Sequence, residues 1–244
     1  MKKIILTGLI TVAAAAAVIL LLLPVQSVRI VGNEYYSEEE LKEMIFGEQK
    51  PRYFIVRLKE IFGRHPQIPF VESYELTFGA ERSISVRIYE RSLAGYLLFQ
   101  NYYLYFDWSG TLVESSNVKL DGIYEVDGLG LGHAVIGEKL PLTDESQLRT
   151  VLTITQFLNS EEILWQGKRT KIGDLTQKIR FQSDGVSVEV SGISVLLGDA
   201  YNTEEKLFLM SDMLPELAGR KGILYLDTYK EGAAHPSYVF KEKQ

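Results

Sequence analysis

The sequence predicts an α+β protein: an apolar N-terminal helix, then a β-α-α-β-β unit, then a mostly antiparallel β-sheet domain carrying two helices. Three observations predict it. An uncharged run extends from Ile4 to Leu23. Apolar residues then alternate strictly through Tyr74, Leu76 and Phe78 and again through Ile84, Val86 and Ile88, the period of strands with one buried face. Farther on, two stretches with helical spacing sit among further alternating runs.

Bulk composition narrows the function. Of 244 residues, 46% are hydrophobic and 24% charged, the balance of a folded chain rather than a disordered one. The net charge of −6, with no strongly basic run, repels phosphate backbones, so no nucleic-acid partner is expected. The chain has no cysteine, which removes disulfides, thiolate metal sites and cysteine nucleophiles.

Residues 1–24 form the first segment. Lys2 and Lys3 precede the apolar run, whose helical length would cover a hydrocarbon core of roughly 30 Å. A cleaved signal has a shorter apolar region and a small-x-small site. Here Ala13 to Ala17 lie in the middle and Val18 to Leu23 are bulky, so the run reads as an uncleaved membrane anchor ended by Pro24. Positive flanks stay inside. The expectation is therefore a single-pass protein of the inner (cytoplasmic) membrane, its N-terminus cytoplasmic and its bulk extracytoplasmic.

Residues 25–91 form the second. Val28 to Val31 make a short strand ending at Gly32-Asn33. Ser37 and Glu40 have the spacing of a capping box, in which each side chain satisfies a free amide of the first helical turn. Leu41, Met44 and Ile45 follow at helical spacing. Leu58, Ile61 and Phe62 suggest a second short helix, and a β-hairpin turns at Gly79–Arg82.

Residues 92–240 form the third, with a short tail at 241–244. Strands are expected over Ala94–Leu98, Tyr102–Phe106 and Thr111–Glu114, and a helix over Glu145–Asn159. Ile179 and Phe181, then an Asp-Gly turn, then Val186, Val188 and Val190 form a hairpin. Ile193 to Leu197 adds a strand. Asn202 with Glu205 opens a helix burying Leu207, Met210, Leu214 and Leu217, its last turn weakened by Pro215. Strands over Ile223–Tyr229 and Tyr238–Phe240 close the domain.

No motif carries catalysis. The glycines of Asp127 to His133 match no phosphate-binding fingerprint, and a mobile loop is the simpler reading. Ser116 and Lys119 form an isolated S-x-x-K without the S-D-N and K-T-G elements that such an enzyme needs. The three histidines, His65, His133 and His235, have no zinc-helix spacing. No enzyme activity, cofactor, metal or small-molecule substrate is expected. The 14 tyrosines remain, and Tyr102, Tyr103 and Tyr105 cannot all face one core. They suit either a contact surface or plain strand preference.

"VRIVGNEYYSEEEL", "FVESYELTF" and "ISVRIYERSLAGY" resemble the POTRA domain of the FtsQ/DivIB cell-division proteins, including the closing Glu90-Arg91 pair. "YLYFDWSGTLVE" is similar to that family's Asp-x-x-Gly step, here Asp107 and Gly110, and "GILYLDTYKEGAA" is similar to its closing strand. The resemblance covers nearly the whole chain. It implies a membrane-anchored divisome scaffold at the septum. The partners would be FtsB/DivIC-like and FtsL-like bitopic proteins and, through them, the septal peptidoglycan synthase. It also implies a partner-binding strand at Leu224, Tyr225, Leu226, Asp227, Thr228 and Tyr229, with Gly232 after it. Thr228 stands where many relatives carry arginine. An exposed edge there would take a partner strand through backbone hydrogen bonds. The alternatives are a POTRA-type polypeptide-handling component of an envelope secretion or assembly system, and an envelope hydrolase.

Overall fold

The computed structural model describes residues 2–63, 65–228 and 238–243. It is a mixed α/β chain, mostly sheet, that divides into compact units at Met1–Arg91 and Ser92–Gln244.

The first unit begins with helix α1 (Lys2–Leu22). The expected membrane span is overturned: among the described residues, no helix is long and apolar enough to cross a membrane. Thr7, Gly8, Thr11 and a run of alanines lie within this helix. The inner-membrane placement and the orientation that rested on that span fall with it. The chain leaving α1 is stitched directly into the unit: Val25 N–H donates to Pro51 O at 2.8 Å, and Tyr53 N–H to Leu23 O at 3.0 Å.

Strand β1 (Ser27–Val31), helix α2 (Glu38–Phe46), helix α3 (Tyr53–Ile61) and the hairpin β2 (Val71–Phe78) and β3 (Ser83–Glu90) follow. The three strands form one sheet in the order β1-β3-β2, with β1 parallel to β3. Ser37 and Glu40 make both halves of the capping box, which fixes where α2 starts. Leu41, Val56, Ile84, Val86 and Ile88 form the core, with Tyr74, Leu76 and Phe78 half-buried against it. The helical spacing of Leu58, Ile61 and Phe62 misplaces them: they are 45%, 71% and 73% exposed, and α3 buries Tyr53 and Val56 instead. An apolar stripe at helical spacing does not say which of two apolar faces meets the sheet.

The second unit contains β4 (Leu93–Phe99), β5 (Tyr102–Asp107), β6 (Leu112–Ser116), β7 (Glu125–Asp127), α4 (Glu145–Ser160), β8 (Glu162–Trp165), β9 (Lys168–Lys171), α5 (Ile172–Leu175), β10 (Thr176–Gln182), β11 (Gly185–Val190), β12 (Ile193–Gly198), α6 (Thr203–Met213), β13 (Gly222–Tyr225) and β14 (Val239–Glu242). Nine of these strands form one sheet in the order β14-β13-β12-β11-β10-β7-β4-β5-β6. The expected mostly antiparallel sheet is a mixed one: β7 runs parallel to both β4 and β10, and β13 parallel to β12. Short hairpins cannot make these joins: the chain reaches β7 from β4 through β5 and β6, β10 from β7 by way of α4, and β13 from β12 by way of α6. A four-residue helix, α5, adds to the two expected. Pro215 lies in a 3₁₀ turn, Leu214–Leu217, that ends α6.

The helices cover one face of this sheet. Val151, Ile154 and Leu158 of α4, with Leu207 and Met210 of α6, join Val188, Val195, Leu197 and Leu224 in one core. Each fully buried aliphatic side chain contributes about 1.5–3 kcal/mol. The Asp127–His133 loop expected to be mobile is tied down: Gly132 N–H donates to Pro141 O at 2.8 Å and Thr143 N–H to Gly130 O at 3.0 Å.

Candidate functional site

The opposite face of the nine-stranded sheet carries the polar chemistry. Because side chains alternate across a strand, burying Ile179, Val188, Val195 and Leu224 turns Lys178, Arg180, Glu189, Ser194, Ile223 and Tyr225 to the other side. Across β7, β10 and β11 these form a ladder of alternating charge. Lys178 Nζ lies 2.6 Å from Glu125 and 3.6 Å from Asp127, while Arg180 meets Asp127 at 3.5 Å and Glu189 at 3.1 Å. The hydrogen bond to Glu125 raises the Lys178 ammonium above its ordinary range.

On one side of the ladder are tyrosines. Tyr96 and Tyr105 are fully buried beneath the β6–β7 crossover, whereas Tyr103 is half-buried and Tyr102 53% exposed. The Tyr105 hydroxyl donates to Val118 O at 3.0 Å and accepts from Leu120 N–H at 2.8 Å, pinning the crossover to the sheet. Burial first, and Glu125 next, push the Tyr96 hydroxyl up to about 12. This group is a second small core more than a contact surface.

On the other side, at β12 to β14, is a hollow of about 540 Å³ lined by Gln177, Glu189, Ser194, Ile223, Tyr225 and Lys241 among others. The strand expected to bind a partner borders it. Leu224 and Leu226 are completely buried, Tyr225 is half-buried, and Asp227 and Thr228 are exposed in a turn. The regular strand stops at Tyr225, short of the expected Tyr229. Tyr229 and Gly232 lie outside the described residues. Nor is β13 the free edge it was expected to be: β12 pairs with one side of it and β14 with the other. The sequence marked a strand over Tyr238–Phe240, but nothing local in it says that this strand returns to lie against β13.

The residues that sequence reasoning missed are those holding β14. Arg220 bridges Glu242 at 3.3 Å and stands 4.6 Å over the Phe240 ring, and Lys241 stands 4.9 Å over the Tyr225 ring. Gly222 faces the backbone of Lys241 and Glu242.

In the first unit, a hollow of about 620 Å³ is lined by Met44, Phe46, Ile55, Glu60, His65 and Tyr74 among others. His65 Nε2 lies 3.4 Å from Glu60, and the His65 ring packs edge-on against Tyr74 at 5.1 Å. Burial first, then the Glu60 charge, push the Tyr74 hydroxyl up to about 12. Among the described residues, no group of three or more His, Asp or Glu side chains is placed to hold a metal ion.

The sheet end thus has the parts of a backbone-pairing surface: a buried template strand, a short outer strand and an adjoining hollow. A comparison of the chain with known protein families finds no match, and a comparison with curated proteins finds no significant one.

Proposed function

We propose that this chain is a division scaffold similar to the FtsQ/DivIB proteins, a binding protein that holds FtsB/DivIC-like and FtsL-like partners and through them influences septal peptidoglycan synthesis. The observation that carries the reading is the end of the nine-stranded sheet. There the short strand β13, fully buried at Leu224, turns Ile223 and Tyr225 into the hollow beside Lys241. Backbone pairing at such an end supplies affinity, and the side chains on the open face supply choice. The β-α-α-β-β order of the first unit, closing on Glu90 and Arg91, supports the same resemblance.

Two measurements test it. Depleting the protein in its parent cells should produce elongated cells without septa, and the FtsB/DivIC-like protein of those cells should co-purify with it. Normal septation after complete depletion would overturn the proposal.

A further inference from the structure

We propose that β14 is a built-in occupant of the β13 edge, which a partner strand displaces by pairing with β13 in the same register. The inference rests on the reading of this sheet end as the partner-facing surface and adds how access to it is controlled.

Three observations carry it. First, β14 is four residues long and lightly held. Val239 is 49% exposed, Lys241 and Glu242 are exposed, and only Phe240 is half-buried. Phe240 packs against the main core at its margin, and the polar side-chain contacts of β14 are the two cation–π pairs and the Arg220–Glu242 bridge, whose partners are 45% and 58% exposed. Exposed pairs of these kinds are weak. Second, the template does not depend on its occupant. Leu224 is completely buried and belongs to the main core, and β13 is also paired to β12 over Gly222 to Tyr225. Removing β14 therefore leaves a formed strand with one free row of backbone donors and acceptors, the surface that strand addition uses.

Third, the template is shaped for close approach. Gly222 has an ordinary backbone conformation, so turn geometry does not demand glycine there. A methyl group at Gly222 would instead collide with the Lys241 carbonyl, and it would lie 2.8 Å from the Phe240 ring and 3.0 Å from the Glu242 Cα. All three neighbours belong to β14. The glycine admits a strand at this edge.

The register also describes the partner. Opposite Leu224 it places an aromatic ring that Arg220 can cover, opposite Ile223 a cation beside Tyr225, and opposite Gly222 an acid within reach of Arg220. The matching ligand is an extended segment reading aromatic–cation–acid.

A fluorescein-labelled peptide copying residues 238–243 serves as probe, and the full chain is used throughout. The double variant Phe240→Ala/Glu242→Ala weakens β14 without touching β13. The tethered strand competes at an effective concentration of roughly millimolar, so opening it should tighten peptide binding at least about ten-fold over wild type. A disulfide across the Ile223–Lys241 pair, made by Ile223→Cys/Lys241→Cys in a chain with no other cysteine, should abolish binding, and reduction should restore it. Adding Gly222→Ala to the opened variant should remove binding again. The proposal is overturned if the opened variant does not bind the peptide, or if the oxidised and reduced proteins bind it equally. The native partner separates this from the functional reading. Capture of the FtsB/DivIC-like protein by the oxidised protein would sink strand exchange and leave the division role standing. Peptide exchange without capture of that protein would do the reverse.

Discussion

The main-chain amide of Tyr35 donates to both carboxylate oxygens of Glu90, each at 3.1 Å. Glu34 N–H donates to the same carboxylate at 3.0 Å, so the last residue of β3 holds the loop that leads into α2. Glu90→Ala leaves both amides without their acceptor and should destabilise the first unit by about 1–3 kcal/mol. Glu90→Gln retains an acceptor oxygen and should lose less. Urea titration, together with hydrogen exchange at the Tyr35 amide, checks the order of the two variants.

Tyr105→Phe removes the hydroxyl that satisfies Leu120 N–H and Val118 O. With little change in shape, the cost should come from the orphaned backbone groups, about 1–3 kcal/mol. A denaturation midpoint equal to wild type would show that the crossover is held by packing alone.

Lys206 is 2% exposed, and its ammonium donates to Asp199 O at 3.2 Å and to the Asp199 carboxylate at 3.0 Å. The hydrogen bond and charge of Lys206 hold the Asp199 carboxyl below the usual range. Asp199→Ala strands a buried charge, whereas Lys206→Met replaces it with an apolar side chain of similar length. The Lys206→Met protein should melt higher than the Asp199→Ala protein in a thermal scan at neutral pH.

Asp107 makes the tight turn between β5 and β6, accepting from Ser109 N–H at 2.8 Å and Thr111 N–H at 3.0 Å. Burial raises its carboxyl, but the bonds from Ser109 and Thr111 and the charge of Lys139 outweigh that and hold it below the ordinary range. With the folded value depressed, its contribution is complete above the unfolded value near 4 and disappears as pH falls through the folded value. Asp107→Asn should therefore show a shallower loss of stability than wild type between about pH 5 and pH 2, measured by urea midpoints across that range.

Local chemistry was legible and distant pairing was not. Ser37 with Glu40 announced the start of α2, Asp184-Gly185 announced the β10–β11 turn, and Pro215 announced the tightening after α6. Each signal acts within a few residues. The small hairpin of β8 and β9 was missed because β9 is polar and Gln166-Gly167 reads weakly as a turn, although both residues adopt positive φ. Strand β13 was legible as a strand at Ile223 to Tyr225, but its place between β12 and β14 depends on pairing between segments separated in sequence. The apolar run of α1 was plain, whereas the span read into it was not carried by the described helix.

Strand β7 is three residues long, yet it alone joins the two halves of the nine-stranded sheet. Toward β4 it makes the single register pair Tyr96↔Glu125, and toward β10 the three pairs from Lys178↔Glu125 to Arg180↔Asp127. The sheet therefore has a seam. A load drawn across the strands concentrates there, because every other junction shares the force among at least four register pairs. A break between β7 and β4 leaves β4–β6 as one ribbon and β10–β14, with β7 attached, as another, joined then only through the core beneath them.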